Sequence, residues 1–147
     1  MAFNSTITNN TINGAAESSI YLINTAYNTI QNNTIKNFSV HAIKGRFGNT
    51  SRPNYAAALV DNSQYQKLST GQGIDISNNK IYTQKPKSIV LMGENADRKM
   101  DYKGNKLDKI SIYNNTFIGN ANKDDIIISD KAINSTNKVF GNKFQRL

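Results

Sequence analysis

Apolar residues recur along the chain in a six-residue pattern, Ile-x-Asn-Asn-x-Ile, in which two apolar ends flank a polar pair. Copies of it begin at Ile7, Ile30, Ile76 and Ile112, and a diverged copy spans residues 139–144. The β-branched or aromatic ends favour strands that face a core. The central Asn or Gly residues adopt positive φ most readily, so the pattern predicts a strand, a sharp bend and a second strand.

A short apolar segment follows each of the first four copies, with its first Ile at Ile20, Ile43, Ile89 or Ile126. The first two copies lie 23 residues apart, which leaves room in each unit for three short strands. A unit with so few apolar residues cannot bury them alone, but a stack of like units can. The sequence therefore predicts an all-β fold, a right-handed parallel β-helix of about five rungs with three short strands each.

The paired-Asn turn, stacked rung on rung as an asparagine ladder, resembles the parallel β-helix repeat of the pectate-lyase-like superfamily. That group includes pectate and alginate lyases, polygalacturonases, mannuronan epimerases and phage tailspikes. The resemblance covers nearly the whole chain at the level of fold and matches the motifs of no single family. It implies either a protein that acts on acidic polysaccharides or a segment of a spike.

The chain of 147 residues predicts a single β-helix domain, residues 1–147, with long loop insertions at 44–75 and 93–109. Both insertions leave the coil at the same corner, and long loops on a rigid repeat scaffold commonly carry function. A repeat begins close to Met1 and another ends close to Leu147, without polar capping elements. We therefore expect a fragment of a longer helix, or ends covered in a homo-oligomer such as a trimer.

The chain contains 18 Ile and 23 Asn, and this biased composition suits a β-helix with an Ile-filled interior and Asn-rich corners. The net charge is +8, and residues 36–87 hold eight Lys and Arg against two Asp. Such a basic region attracts polyanions. Because no nucleic-acid-binding motif and no transmembrane stretch is present, the expected partner is an acidic polysaccharide, with no nucleic acid and no membrane. A secreted or virion-associated location is favoured, and the absence of Cys excludes disulfides.

The strongest candidates for chemistry are His41, Lys44 and Arg46, together with Tyr55 in the long loop. A lyase or epimerase acting on a uronic acid polymer needs a cation against the carboxylate and a base that takes the C5 proton. A lyase also needs an acid for the leaving oxygen, and these side chains can fill such catalytic roles. A single His beside apolar residues is more often structural, so enzymatic activity stays open. A polysaccharide lyase, an epimerase and a glycoside hydrolase are the alternatives.

Further basic and aromatic residues are candidates for substrate binding. With Ile facing the core, the outward positions of the four apolar segments read Tyr21, Lys44, Val90 and Ile127. Tyr21 beside Lys44 predicts a sugar-stacking pair, whereas the apolar Val90 and Ile127 predict a covered surface. The remaining substrate-binding candidates are Arg52, Lys85, Lys87 and Arg98.

Carboxylates are a second group of candidates. Asp124 and Asp125 precede the strand of Ile126, and Asp97 and Asp101 lie in the loop before them. Rungs about 4.8 Å apart would place carboxylates near the separations that glycoside hydrolases use. Calcium is an alternative cofactor because it takes several oxygen ligands, but adjacent Asp residues at a turn usually form the turn. No metal-binding residue is assigned.

The predicted function is binding of an anionic uronic acid polysaccharide along one face of the β-helix, with cleavage or epimerisation left open. The alternative is a non-catalytic structural or receptor-binding segment of a trimeric phage tailspike or adhesin. The clustered basic loop favours the first function, and the outward apolar residues favour the second. The Gly-His-Gly motif of polygalacturonases and the Asp-Pro-His motif of mannuronan epimerases are both absent.

Overall fold

The structure is a computed structural model that describes residues 4–23, 25–47, 71–84, 87–93, 107–129 and 136–147. Within these ranges the chain forms fourteen β-strands and one 3₁₀ turn at Lys123–Asp125. The strands are β1 (Thr6–Thr8), β2 (Thr11–Ala15), β3 (Ser18–Ile23), β4 (Thr29–Gln31), β5 (Thr34–Phe38), β6 (His41–Phe47), β7 (Asp75–Ser77), β8 (Lys80–Thr83), β9 (Ile89–Gly93), β10 (Ser111–Tyr113), β11 (Thr116–Gly119), β12 (Ile126–Ser129), β13 (Lys138–Phe140) and β14 (Lys143–Gln145). No helix in the described ranges is long and apolar enough to cross a membrane.

The strands form three parallel sheets, and consecutive strands lie in different sheets. Sheet A has the order β1-β4-β7-β10-β13, sheet B has β2-β5-β8-β11-β14, and sheet C has β3-β6-β9-β12. The chain thus passes through sheets A, B and C once per rung, and each rung pairs with the next. This arrangement confirms the predicted right-handed parallel β-helix. The fifth rung contributes two strands to the described structure, β13 and β14.

The core is a column of apolar side chains inside the coil, held in register by the strand pairing. Ile30 pairs with Ile76, and Ile76 pairs with Ile112, and all three are fully buried. Ile35 and Ile81 repeat the arrangement in sheet B. Burial of an Ile side chain stabilises a fold by about 1.5–3 kcal/mol, so the regular repeat of Ile supplies much of the driving force.

The two asparagines of each pattern lie in the turn between sheets A and B, and they adopt different backbone conformations there. The first one has positive φ, between 55° and 58° at Asn9, Asn32, Asn78 and Asn114, and Gly141 takes this place in the fifth rung with φ 64°. The second one is buried in the middle rungs, at Asn33, Asn79 and Asn115. The sequence pattern had suggested positive φ for either position, whereas the structure assigns it to the first alone.

The second asparagines form the predicted ladder. Asn33 Nδ2 donates to the Ile7 carbonyl at 2.9 Å and to Asn79 Oδ1 at 3.0 Å, and Asn33 N donates to the same oxygen at 2.9 Å. The same bonds join Asn79 to Asn115 and Asn115 to Asn142. Each side chain therefore satisfies polar groups that the sharp turn would otherwise leave unpaired inside the protein.

Sheet C leads into the regions where the long insertions were predicted. Strand β6 continues to the fully buried Phe47, so residues 44–47 of the predicted 44–75 insertion belong to the sheet. Residues 48–70 and 94–106 lie outside the described residues. An isolated parallel bridge between Gln72 and Asp108 joins the segments that return to the third and fourth rungs.

Candidate functional site

The outer face of sheet C carries the candidate residues nearest to one another. Strand pairing sets Tyr21 beside Lys44, Lys44 beside Val90, and Val90 beside Ile127. Two positions further along the strands, a parallel column pairs Ile23 with Arg46. Because side chains alternate along a strand, both columns point away from the Ile-filled bore.

Lys44 lies at the centre of a small cluster on this face. Its Nζ is 2.5 Å from Glu17 Oε1 and 5.0 Å from the centroid of the Tyr21 ring. The side chain of Lys44 is only 17% exposed, whereas that of Glu17 is 56% exposed, so the cation is enclosed and its carboxylate partner faces solvent. The cluster therefore combines an aromatic ring, a cation and a carboxylate on the first two rungs.

Glu17 is a member of the cluster that the sequence pattern did not single out. The hydrogen bond from Lys44 and the positive charge of that ammonium group lower the pKa of Glu17, with a smaller contribution from His41. Glu17 lies in the turn before β3, and its distance of 27 residues from Lys44 does not match the 23-residue repeat. The sequence offers one indication of this role: Glu17 is an acidic residue directly before β3, and β3 pairs with the strand that carries the basic Lys44.

His41 is held between neighbouring rungs by backbone groups. Its Nδ1 lies 2.7 Å from the Lys87 carbonyl oxygen, and its backbone N donates to the Glu17 carbonyl at 3.1 Å. A carbonyl oxygen can only accept, so Nδ1 carries the hydrogen and Nε2 is the acceptor of the neutral ring. The interaction fixes the orientation of the ring, and it leaves Nε2 as the atom that can accept a proton.

The structure thus brings together some of the predicted site residues. Lys44 contacts both Tyr21 and Glu17, and the backbone N of His41 donates to the Glu17 carbonyl. Arg46 belongs to the neighbouring outward column. Lys87 contributes its backbone carbonyl, which accepts the hydrogen bond from His41. The backbone of Lys87 has a positive φ of 73°. The candidates Tyr55, Arg52, Lys85 and Arg98 lie outside the described residues.

The second half of the same face is apolar and covered. Val90 is only 6% exposed although it points outward, and Ile127 beside it is half-buried. This burial agrees with the covered surface that the sequence predicted for these positions. The more accessible part of the face therefore lies on the first two rungs, where Tyr21 is exposed and Lys44 is partly exposed.

The adjacent carboxylates of the fourth rung serve the fold. Asp125 is fully buried, and its Oδ1 accepts hydrogen bonds from Ser88 Oγ at 2.8 Å and from Thr83 Oγ1 at 3.3 Å. Its Oδ2 accepts from the Asn122 backbone N at 2.7 Å, which completes a capping box at the 3₁₀ turn. Asp124 is exposed, so the two carboxylates do not face a common cleft. Asp97 and Asp101 lie outside the described residues.

Metal-binding side chains do not gather in the part of the chain that the structure describes. No three His, Cys, Asp or Glu side chains there lie close enough to hold an ion. The cluster around Lys44 has one His and one Glu, together with a cation that would repel a metal. Its chemistry is that of hydrogen bonding, aromatic contact and charge.

No protein-family model, curated protein or solved structure matches the chain. The fold and the site therefore define a class of protein by themselves. It is a parallel β-helix repeat protein that presents an aromatic, basic and acidic cluster on the outer face of one sheet.

Proposed function

We propose that the outer face of sheet C binds a polysaccharide that carries carboxylate groups, such as a uronic acid polymer. The observation that carries this proposal is the contact of Lys44 with both the Tyr21 ring and the Glu17 carboxylate. The resemblance of the repeat to the pectate-lyase-like superfamily supports the same class of ligand.

The cluster offers the two kinds of contact that an acidic sugar needs. The ring of Tyr21 is 40% exposed and provides an apolar surface with a polar tip, against which a sugar ring can pack. Lys44 provides a cation for the sugar carboxylate. Rungs about 4.8 Å apart would present these groups in succession to a polymer that lies along the coil axis.

Glu17 occupies the place on Lys44 that a ligand carboxylate would take. The pair is accessible from solvent through Glu17, and solvent-exposed ion pairs contribute little to stability because water and salt screen them. A polymer with many carboxylates can therefore displace Glu17 at a small cost. Because the pKa of Glu17 is lowered, this competing carboxylate remains ionised at neutral pH.

Binding of polygalacturonate and alginate at low salt tests the proposal. Lys44→Ala should weaken binding several-fold, and the affinity of the wild type should fall steeply with added salt because exposed charges are screened. Lys123→Ala is the matched control, since it removes the same charge from the exposed 3₁₀ turn. Equal losses in both variants would show diffuse attraction without a site, and no binding at low salt would contradict the proposal.

Cleavage or epimerisation of the bound polymer is a further candidate activity. It is favoured by His41, whose Nδ1 donates to a carbonyl so that Nε2 can accept a proton. A lyase would release unsaturated uronate, which absorbs in the ultraviolet, and an epimerase would exchange the C5 proton with solvent. His41→Ala should abolish either signal and leave binding largely unchanged. Absence of both signals in the wild type would restrict the function to binding.

A structural or receptor-binding segment of a trimeric spike is the second candidate function. The unbroken asparagine ladder favours it, because it stiffens the coil. Sedimentation velocity would support this function by showing a stable trimer that binds none of the acidic polymers. A monomer that binds them would contradict it.

A further inference from the structure

A different corner of the coil, between sheets C and A, holds an aromatic residue in an unfavourable backbone conformation. Asn4, Tyr27, Gly73 and Lys109 occupy this corner in the first four rungs, with φ between 53° and 62°. Asn and Gly adopt positive φ readily, but a bulky aromatic residue does so rarely and at an energetic cost. Tyr27 therefore occupies a place where an Asn, as in the first rung, would serve the fold at least as well.

Contacts with the next rung fix the side chain of Tyr27. A Cβ atom added to Gly73 would lie 2.5 Å from Cδ1 of Tyr27, so the ring fills the space that the glycine leaves. The Tyr27 hydroxyl donates to Gln72 Oε1 at 3.2 Å, and the Tyr27 backbone N donates to the Gln72 carbonyl at 2.8 Å. Tyr27 nevertheless remains 40% exposed. The ring is thus held against the neighbouring rung with part of its surface open to solvent.

The surroundings of this ring differ from those of the cluster on sheet C. Asp108 and Lys109 lie one rung beyond Gln72 and Gly73, so the corner adds one negative and one positive charge on the second rung away from the ring. Gln72 adds an amide group that can both donate and accept. An aromatic surface with amide and hydroxyl groups and balanced charge suits an uncharged, polyhydroxylated ring better than an anion.

We infer that Tyr27 is a stacking platform for a neutral hexopyranose unit of a glycan. Pyranose rings with equatorial hydroxyl groups present an apolar C–H face, which matches the open side of the Tyr27 ring, and their hydroxyl groups can bond to Gln72. Backbone strain of this kind is retained mainly where function requires it. The inference does not depend on the function proposed for sheet C, because it uses another corner and an uncharged ligand.

The test combines binding and stability measurements on the same variants. Nuclear magnetic resonance titrations would use oligosaccharides of β-1,4-linked glucose, mannose and N-acetylglucosamine, and the resonances of Tyr27, Gln72 and Lys109 should shift with at least one of them. Tyr27→Asn should weaken this binding about tenfold, because the stacking surface is lost. Tyr27→Phe should retain most of the affinity. The melting temperature of Tyr27→Asn should not fall, because Asn suits positive φ.

The controls separate this site from the rest of the surface. Tyr82→Asn removes a tyrosine from the outer face of sheet B and should leave the binding unchanged, as should Lys44→Ala and added salt. A melting temperature for Tyr27→Asn more than about 3 °C below that of the wild type would show that Tyr27 is a packing residue and would overturn the inference. Absence of binding to all three oligosaccharides at millimolar concentration would overturn it as well. Neither result would affect the proposal for sheet C.

Discussion

At the scale of single residues, the two asparagines of each turn have different tasks. Asn32 supplies a backbone conformation with φ 57°, and Asn33 supplies buried hydrogen bonds to the rungs on both sides. A substitution should therefore act through strain at the first position and through unpaired polar groups at the second. The difference is specific enough to be measured.

We predict that Asn33→Val destabilises the protein more than Asn32→Val. The change at Asn32 places a β-branched residue at positive φ, which costs about 1–3 kcal/mol. The change at Asn33 removes the donor to the Ile7 carbonyl and the acceptor of the Asn10 backbone N, at about 1–3 kcal/mol for each group that stays unsatisfied. Urea unfolding would measure both, with Asn32→Gly as a nearly neutral control. A smaller loss at Asn33 than at Asn32 would contradict this assignment.

The carboxyl group of Glu17 should titrate below the ordinary range of glutamate. The Lys44 hydrogen bond and charge lower its pKa, so its contribution to stability is present above the unfolded-state pKa and is lost as the pH falls through the folded-state pKa. Carboxyl carbon shifts followed by nuclear magnetic resonance would report the titration. In Lys44→Ala the pKa of Glu17 should return towards its ordinary value, and an unchanged midpoint would show that the ion pair does not form in solution.

The sequence was sufficient to place Lys44 and Tyr21 on an outer face, but it did not reveal Glu17. Strand alternation follows directly from the buried Ile43 and Ile20, so the outward neighbours of these residues are determined. Glu17 lies in a turn where the second rung has Val40, so the repeat does not conserve its charge, and its contact depends on the reach of the Lys44 side chain across a rung. Such contacts are not encoded in the periodicity.

At the scale of secondary-structure elements, the corner before β12 depends on a buried carboxylate. Asp125 accepts hydrogen bonds from Ser88, Thr83 and Asn122 and closes the 3₁₀ turn. The element joins the third and fourth rungs, because Ser88 precedes β9 and Asp125 precedes β12. The apolar segment begins eight residues after Ile81 in the third rung but nine residues after Phe117 in the fourth, and this local polar cluster accommodates the extra residue.

Asp125→Ala should destabilise the protein by more than about 2 kcal/mol, because two buried hydroxyl groups, those of Ser88 and Thr83, lose this acceptor at about 1–3 kcal/mol for each that stays unsatisfied. Asp124→Ala is the matched control, since its side chain is exposed and its loss should cost no more than about 0.5 kcal/mol. Chemical denaturation of both variants makes the comparison. Similar stabilities would mean that the buried cluster contributes little to the corner.

The elements themselves were predictable because the repeat fixes them. Ile126 pairs with Ile89, as the recurring apolar segment implied, although the spacing of this copy differs by one residue. The burial of Asp125 could not be predicted, because adjacent aspartates before a strand suit an exposed turn equally well. The period therefore determines strands and register, whereas local polar contacts determine the corners.

At the scale of the whole molecule, stacking of like rungs provides a rigid rod with distinct faces. Each rung contacts its neighbours alone, so stability accumulates rung by rung and single faces can vary without loss of the fold. The charge of +8 is uneven along the chain, and the cluster of Tyr21, Lys44 and Glu17 lies on the face that we assign to acidic polysaccharides. Self-association of the coil stays a prediction.

The affinity of Glu17→Gln for polygalacturonate, compared with that of the wild type, tests the central claim most directly. If Glu17 occupies the place of the ligand carboxylate on Lys44, its removal should strengthen binding several-fold. Asp124→Asn changes the net charge equally at an exposed turn and should strengthen binding much less. A weaker affinity of Glu17→Gln, or equal gains in both variants, would contradict the proposal that Lys44 binds the ligand in place of Glu17.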